Sequence, residues 1–193
     1  MSIAPWRSLL TAALHRNRNL SHARYLQLAT VRSDGRPANR TVVFRGFCQH
    51  SDRLQFVTDG RSEKVVHIQR NAWAEACWYF PKTREQFRLS GQLILVSVDC
   101  DNIQLQQARR TAWEKLSDRA REGFAWPPPG EPRTQIEAFE GLQVDSIEPL
   151  PQFCLLLLDA EWVDLLQLRS SPHDRVLYQR QDDGTWSDRE LNP

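Results

Sequence analysis

The sequence predicts a mainly β protein, built as an antiparallel barrel with three helices between and beside its strands. Six to eight short strand-like segments follow one another along the 193 residues, and they are joined mainly by hairpin turns. Asp34-Gly35 and Asp183-Gly184 each stand between two such segments, and Asp-Gly is a strong hairpin signal. No G-x-G-x-x-G motif follows the first strand, which argues against a parallel doubly wound sheet. We find no internal repeat and no clear domain boundary, and therefore expect one domain over residues 1–193, with an N-terminal helix and a C-terminal hairpin.

Three helices are predicted from apolar residues at helical spacing. The first spans about residues 5–18 and begins with a proline suited to a first turn. The second spans about residues 61–70, where Asp59 or Ser62 could cap it, and the third spans about residues 102–117. The side chains expected to pack are Trp6, Leu9, Leu10, Ala13 and Leu14 in the first helix, Val65, Val66 and Ile68 in the second, and Ile103, Leu105, Ala108, Ala112, Trp113 and Leu116 in the third.

The strands are predicted from apolar runs rich in β-branched and aromatic residues that lie between turn signals. A long apolar run near the C-terminus is interpreted as two strands that turn at Asp159-Ala160. Three consecutive prolines, Pro127 to Pro129, prevent a helix and predict a stiff extended loop over residues 124–132. The predicted strands are residues 25–33, 38–47, 53–58, 72–80 and 84–98, the two strands within 153–168, and the closing hairpin of 175–191.

The composition argues against several classes of partner. Lys and Arg number 25 against 24 Asp and Glu, interspersed along the chain, so no basic field exists that would gather nucleic acid. No run of eighteen apolar residues and no apolar leader stretch occurs, so we expect a cytoplasmic protein without a membrane partner. The four cysteines form no C-x-x-C pair and have no histidine at ligand spacing, which predicts free thiols and no metal site.

Two neighbouring segments outline a phosphate site. NRTVVFR, residues 39–45, and FVTDGRSEK, residues 56–64, set the cations Arg40 and Lys64 beside the hydroxyls of Thr58 and Ser62, where a strand turns into a helix. A helix N-terminus presents unpaired N–H groups and a partial positive charge, so dipole, hydrogen bonds and side-chain charge together favour an anion there. The alternative is that both cations are ordinary solvated surface charges.

Five segments in the same order resemble a known family. NRTVVFR, FVTDGRSEK, RNAWAEACWYF, REQFRLSG and HDRVLYQR resemble the pyridoxamine 5'-phosphate oxidase family of FMN-binding proteins, over about residues 23–186, and the chain looks like its "pyridoxamine 5'-phosphate oxidase-related FMN-binding" branch. The resemblance implies a six-stranded antiparallel split β-barrel of Greek-key type with peripheral helices. It also implies a homodimer that holds one FMN in each of two clefts at the subunit interface.

The resemblance also assigns cofactor-binding residues by motif. Glu63 replaces the central arginine of the family's S-R-K, and we expect it to point away from the cofactor, as a helix cap or paired with Arg61 or His67. Gln86 could contact the flavin or satisfy a neighbouring backbone group, and Arg175 could supply charge at the ring or pair with Asp174 or Asp159. The implied cofactor-binding residues are Arg40, Thr41, Val42, Val43, Arg45, Val57, Thr58, Ser62, Lys64, Gln86 and Arg175.

The substrate residues depart from the family pattern. Ser171 replaces the first arginine of the family's R-x-H-D-R, whereas His173 is retained as a substrate contact or proton donor. Arg45 and Arg119 are expected to help orient an anionic substrate. The proline-rich loop replaces the family's Q-S-S segment, and its Trp126 could lie over the cleft or serve as a core or interface anchor. The other four histidines are expected on the surface or on helices: His15, His22, His50 and His67.

The function implied by the resemblance is an FMN-dependent oxidoreductase of the pyridoxamine phosphate oxidase type, with Arg45 and His173 as catalytic residues. A small-molecule substrate, for which a phosphorylated B6 vitamer is one candidate, would give a hydride from its amine or alcohol carbon to flavin N5, and dioxygen would reoxidise the flavin. One alternative keeps FMN but acts as a flavin reductase or electron carrier on another small molecule, as the loss of arginine at Ser171 favours. Another is a non-catalytic split-barrel protein that binds flavin or haem.

Overall fold

The computed structural model describes residues 3–193. This part of the chain contains nine β-strands, four α-helices and one 3-10 turn. The strands are β1 Tyr25–Val31, β2 Pro37–Val43, β3 Gly46–Phe47, β4 Leu54–Asp59, β5 Trp73–Phe80, β6 Glu85–Val96, β7 Phe153–Gln167, β8 Asp174–Arg180 and β9 Trp186–Glu190. The helices are α1 Pro5–Asn17, α2 Glu63–Arg70, α3 Ile103–Glu114 and α4 Asp118–Ala125, and the 3-10 turn is Ile136–Phe139.

Six strands form an antiparallel barrel that is split along one side. Their order is β2-β1-β5-β6-β7-β4, and every neighbouring pair is antiparallel. The barrel strands β2 and β4 lie beside one another but share no ladder of hydrogen bonds within residues 3–193. The short strand β3, which follows β2 in the chain, pairs with the start of β4 at Leu54 and Gln55. The predicted six-stranded split barrel is therefore confirmed, and the split lies between β2 and β4. The predicted closing hairpin is also present, as β8 and β9, and it pairs with the second half of β7.

The prediction that residues 153–168 form two strands is wrong, because β7 is one continuous strand of 15 residues. Asp159 does not initiate a turn. Its carboxylate accepts from Arg53 Nε at 2.9 Å and from Arg180 Nη1 at 2.5 Å, so it joins the segment before β4 to the end of β8. The strand accommodates an irregularity here through a β-bulge, in which the register between β6 and β7 shifts at Ser90/Gly91.

The third predicted helix is present as α3, which ends at Glu114, slightly short of the predicted end near Ser117. A fourth helix, α4, was not predicted. It begins at Asp118 after its own cap, Ser117, whose Oγ accepts from the Ala120 N–H at 3.4 Å. Three side chains expected to pack are exposed instead, Leu9, Val66 and Ile103, the last being 84% exposed at the first turn of α3.

Two apolar cores lie on opposite faces of the sheet, and β7 contributes to both. Leu156 and Leu158 face the barrel interior, whereas Phe153, Leu155 and Leu157 face α3 and α4. A strand buried on both faces reads as a continuous apolar run, which explains the unbroken sequence FCLLLL. The tryptophans Trp6 and Trp78 anchor the interior core, and Trp113 anchors the second.

Two classes of site have no support in the described part of the chain. None of its helices combines the length and the apolarity needed to cross a bilayer. Nor do three His, Cys, Asp or Glu side chains of residues 3–193 gather where they could hold a metal ion. The four cysteines are free, as predicted.

Gly91→Ala tests the β6–β7 bulge. A Cβ at this position would stand 2.1 Å from the Asp159 carbonyl oxygen and 2.8 Å from Ala160 Cα, so backbone must move to admit it. Because overpacking costs about 1–3 kcal/mol and this contact involves rigid backbone, we expect the free energy of unfolding to fall by about 3 kcal/mol in urea titration.

Gly123→Ala provides the matched control. Gly123 lies in α4, and an added methyl group there has no neighbour within 4 Å among the described residues. We expect this variant to unfold at the same denaturant concentration as the wild type or a higher one, since Ala favours helix by up to about 1 kcal/mol. Equal stability of the two variants would contradict the close approach at the bulge.

Candidate functional site

A cavity of about 330 Å³ occupies the split between β2 and β4. The outer edge of β2 has no strand partner within residues 3–193, so its backbone N–H and C=O groups face this space. After Val43 the chain leaves β2, and the Arg45 N–H donates to the Gln55 carbonyl of β4 at 2.9 Å. The lining residues are Arg40, Thr41, Val42, Val43, Arg45, Val57, Thr58, Asp59, Lys64, Phe124 and Leu156.

Three cations line this cavity without a carboxylate partner of their own. Arg40, Arg45 and Lys64 make no salt bridge within residues 3–193. Asp59, the acidic residue in the lining, is held by Arg61, which donates from Nε at 3.0 Å and from Nη2 at 2.7 Å. Partly buried positive charges without counterions favour the entry of an anion.

Lys64 is held by hydroxyl groups rather than by acids. Its Nζ donates to Thr58 Oγ1 at 2.9 Å and to Ser62 Oγ at 2.8 Å. Burial lowers the pKa of Lys64 below that of an ordinary lysine, and the charge of Arg40 lowers it further, although Asp59 opposes the shift. The ammonium has three donors, so one remains for a ligand.

The two arginines are oriented by the edge of the sheet. Arg40 Nη1 donates to the Leu28 carbonyl at 3.0 Å and to Thr30 Oγ1 at 2.8 Å. Burial lowers the pKa of Arg40, and it also lowers the pKa of Arg45, where Arg24 adds a repulsive charge. A bound anion would raise the pKa of both guanidinium groups again, because a nearby negative charge favours their charged form.

The start of α2 meets the same cavity. Its first N–H groups have no acceptor within the helix, and the helix dipole adds partial positive charge beside Lys64. Neither predicted cap acts as one, because the Ser62 hydroxyl instead donates to the Asp59 carbonyl at 2.7 Å, and the Asp59 carboxylate binds Arg61. Glu63 points away from the cavity, as expected. Its side chain is 68% exposed and lies 3.4 Å from His67 Nε2.

Most predicted cofactor residues come together in the split. Ser62 contacts Lys64, whereas Gln86 and Arg175 lie elsewhere in this chain. Gln86 is on the outer face of β6, opposite Tyr79 and Leu166. The residues that line the cavity as a group are Arg40, Thr41, Val42, Val43, Arg45, Val57, Thr58 and Lys64.

Arg175 forms an ion pair with a residue that the sequence did not suggest. It donates to Asp164 on the neighbouring strand at 3.0 and 2.7 Å, rather than to Asp174 or Asp159. Arg88 lies on the other side of the same carboxylate, with Nη1 at 3.7 Å from Asp164 Oδ2.

The predicted substrate residues, apart from Arg45, are exposed and lie outside the cavity lining. Ser171 and His173 lie between β7 and β8, where His173 Nδ1 is 2.8 Å from the Ser170 carbonyl. Arg119 is exposed on α4. Its neighbour Arg121 is buried against the carbonyls that end α3, including that of Leu116 at 2.7 Å, and therefore caps this helix.

Some cavity residues were not predicted from the sequence. Phe124 and Leu156 come from distant parts of the chain, and only the tertiary fold brings them to the split. Trp126 lies outside the cavity lining. It packs edge-to-face on Phe139 at 5.7 Å, and with the proline-rich loop it lines a second cavity of about 310 Å³. Arg61 donates to the Trp126 carbonyl at 2.9 Å and so fastens this loop beside the split.

Comparisons with known proteins agree on one kind of relative. Residues 3–97 match a family model described as pyridoxamine 5'-phosphate oxidase, FMN-binding domain. A protein of Arabidopsis thaliana named pyridoxine/pyridoxamine 5'-phosphate oxidase 2 is 41% identical over 197 residues, covering 99% of this chain and 98% of the relative. A crystal structure of a pyridoxamine 5'-phosphate oxidase-related, FMN binding protein from Nostoc punctiforme is 56% identical, covers 100% of both chains and has a TM-score of 0.97. The structure of PhzG from Burkholderia lata 383 in complex with tetrahydrophenazine-1-carboxylic acid shares the fold, with a TM-score of 0.80 and 21% identity over 100% of this chain and 98% of that one.

Inorganic phosphate tests the cation cluster directly. A ligand that binds only the folded protein raises its thermal midpoint by an amount that grows with the logarithm of ligand concentration above Kd, so phosphate should stabilise the wild type once FMN has been removed. We expect the double variant Arg40→Met/Lys64→Met to lose this shift. In the absence of an anion, Lys64→Met should itself be at least as stable as the wild type. The lowered pKa of Lys64 means that its charged form is less favourable in the folded protein than in the unfolded chain, so removing the charge removes this cost.

The phosphate shift should also decline as the pH rises through the lowered pKa of Lys64, because the ammonium is lost there while both arginines stay charged. Arg36→Met is the control, since it removes an exposed cation from the turn between β1 and β2. A phosphate shift that survives in the double variant, or disappears in the control, would contradict the assignment.

Proposed function

This chain belongs to the pyridoxamine 5'-phosphate oxidase family of FMN-binding proteins, and on that basis we propose that it is an FMN-dependent oxidoreductase that oxidises a small anionic amine or alcohol. The name of the Arabidopsis relative favours a phosphorylated B6 vitamer as the substrate. The single observation that carries the proposal is the cluster of Arg40, Arg45 and Lys64 in the split of the barrel, where none of the three makes a salt bridge within residues 3–193.

The donor set at the start of α2 fits the phosphate of FMN. A phosphate monoester carries up to two negative charges and three acceptor oxygens. Lys64 and Arg40 supply the charge, and the hydroxyls of Thr58 and Ser62 stand within hydrogen-bond distance of the same ammonium. The partial positive charge of the helix adds to theirs.

The edge of β2 fits the polar rim of the flavin ring. Free backbone groups from Thr41 to Val43 can form hydrogen bonds with oxygens and nitrogens of the ring, and Val57 and Leu156 offer apolar contact. When bound, FMN supplies the redox chemistry: it accepts two electrons from the substrate carbon and passes them to dioxygen. The protein contributes position and charge, and Arg45 is the cavity cation free to orient an anionic substrate.

We also propose a homodimer with one FMN in each of two clefts. The family-derived site residues fall into two groups in one chain, those in the split and those outside its lining, namely Gln86, Arg175, Ser171, His173 and Arg119. A second subunit that presents the second group to the first subunit's split would complete both sites. Alternation along the strands also places four exposed aromatic side chains on the outer face that carries Gln86: Tyr25, Trp73, Tyr79 and Trp162. Such a face favours a subunit interface.

A second function has its own supporting observation. Ser171 stands where the family carries a substrate-binding arginine, and it is exposed. A protein with this change could keep FMN and transfer electrons from a reduced nicotinamide to another small acceptor instead. This alternative predicts flavin reduction by NADH or NADPH and no turnover of B6 phosphates.

Aerobic turnover decides between these functions. Purified protein should be yellow and hold about one FMN per chain. With pyridoxamine phosphate under air, we expect equal amounts of aldehyde, ammonia and peroxide; with pyridoxine phosphate, equal amounts of aldehyde and peroxide. Arg45→Met should lower kcat/KM by about tenfold or more while FMN content is retained, because a charge-assisted contact to the substrate is lost.

The comparison reaction is anaerobic mixing with NADH and NADPH. Bleaching of the flavin by a reduced nicotinamide, without aldehyde from either B6 phosphate, would replace the oxidase proposal by the reductase. Bound flavin that neither reaction reduces would favour the non-catalytic alternative.

Sedimentation equilibrium tests the dimer. The wild type should have twice the 22.5 kDa mass of the chain. Trp162→Lys, which places a charge on the outer sheet face, should shift the equilibrium toward single chains and weaken FMN binding. Ile147→Lys is the control, because Ile147 is exposed in the loop before β7, outside the strands that carry the four aromatic side chains. A wild type that sediments as one chain and still binds FMN would overturn this part of the proposal.

A further inference from the structure

We infer that Thr30 and His67 form a positioning pair for Arg40, which orients its guanidinium toward the phosphate end of the cofactor. The inference rests on the proposed phosphate site, and it adds two residues that neither the sequence motifs nor the cavity lining identifies. Thr30 lies on β1 and His67 on α2, and their side chains are joined to Arg40 by an unbroken chain of hydrogen bonds.

Both residues are buried polar groups beside the site. Thr30 is 2% exposed and His67 is 4% exposed. His67 therefore lies on a helix, as expected, but it is buried there and not on the surface. His67 Nδ1 lies 3.0 Å from Thr30 Oγ1, and Arg40 Nη1 lies 2.8 Å from the same oxygen. Buried polar groups that lose their partners destabilise the folded state, so this arrangement is maintained in the folded protein.

The directions of these hydrogen bonds follow from the donors. A guanidinium can only donate, so Thr30 Oγ1 accepts from Arg40. Among the described residues, the Thr30 hydroxyl has one further partner, His67 Nδ1, and its own proton must therefore go there. His67 then carries its ring proton on Nε2, which faces Glu63 Oε1 at 3.4 Å. The order of donation is Arg40 to Thr30 to His67, and the Nε2 side of the His67 ring lies beside the Glu63 carboxylate.

This order gives Glu63 a role. Its carboxylate favours the His67 tautomer in which Nδ1 is an acceptor, and that tautomer leaves the Thr30 oxygen free to receive Arg40. The hydroxyl fixes one Nη1 direction, and the Leu28 carbonyl fixes another. A guanidinium held in this way loses less conformational entropy when it binds an anion.

The test compares FMN with riboflavin, which lacks the phosphate, on cofactor-stripped protein by fluorescence titration. Thr30→Val keeps the shape but removes the hydroxyl, and we expect it to weaken FMN about tenfold while riboflavin changes less than about twofold. Thr30→Ser should restore FMN affinity. His67→Leu should also weaken FMN selectively, and His67→Asn should restore it, because the Asn Oδ1 can accept where Nδ1 did.

Thr83→Val is the matched control. Thr83 is a buried hydroxyl that accepts from Asn17 Nδ2 at 3.0 Å, away from the split, so its loss should leave the affinities for both ligands unchanged. Thermal unfolding of every variant checks folding, and the FMN-to-riboflavin ratio is read only within folded variants. Equal loss of both ligands in Thr30→Val and His67→Leu, or no loss of either, would overturn the positioning role.

Arg40→Ala and Lys64→Ala, titrated in parallel, separate the two ideas. If Arg40→Ala and Lys64→Ala both lose more affinity for FMN than for riboflavin, while Thr30→Val and His67→Leu do not, only the positioning pair is wrong. If neither discriminates between FMN and riboflavin, the phosphate assignment fails, and the positioning pair fails with it.

Discussion

The unpaired gap between β2 and β4 is the constraint on which the site depends. A barrel closed by a ladder of hydrogen bonds would satisfy the β2 edge and leave no room beside it. In this chain the end strands share no ladder within residues 3–193, and a cavity of about 330 Å³ lies between them. The gap exposes the backbone of β2, the start of α2 and three cations to one small volume. The opening of the barrel and the proposed cofactor site are therefore the same feature of the fold.

The electrostatics of this gap couple anion binding to stability. Burial lowers the pKa values of Arg40, Arg45 and Lys64, and the charge of Arg40 acts against Lys64. Such a cluster destabilises the empty protein and is relieved by a dianion, so a cofactor bound as we propose would stabilise the fold by the same interactions that hold it. Asp59 offsets only part of the shift at Lys64, because its carboxylate is paired with Arg61, and the same arginine fastens the proline-rich loop beside the gap.

Sequence patterns predicted the local structure and the chemistry of the site better than its spatial assembly. The hairpins, the first two helices and the pair Arg40 and Lys64 follow from turn chemistry, periodicity and motif, because each depends on neighbours in sequence. The continuity of β7 could not be predicted, since Asp159 is a turn residue by propensity but here binds Arg53 and Arg180 from distant segments. For the same reason Phe124 and Leu156 were missed, and the buried pair of Thr30 and His67 has no local signature. Long-range pairing decides what these residues do, and one sequence carries little information about it.

A crystal structure of the protein with FMN bound is the most direct test of the central claim. The account predicts the phosphate in the split, with its oxygens within about 3 Å of Lys64 Nζ and an Arg40 nitrogen, and the ring along the free edge of β2. Two results would contradict it: a phosphate held by cations outside the split, such as Arg133 just after the proline-rich loop, or one that points into solvent while Arg40 and Lys64 stay without an anion.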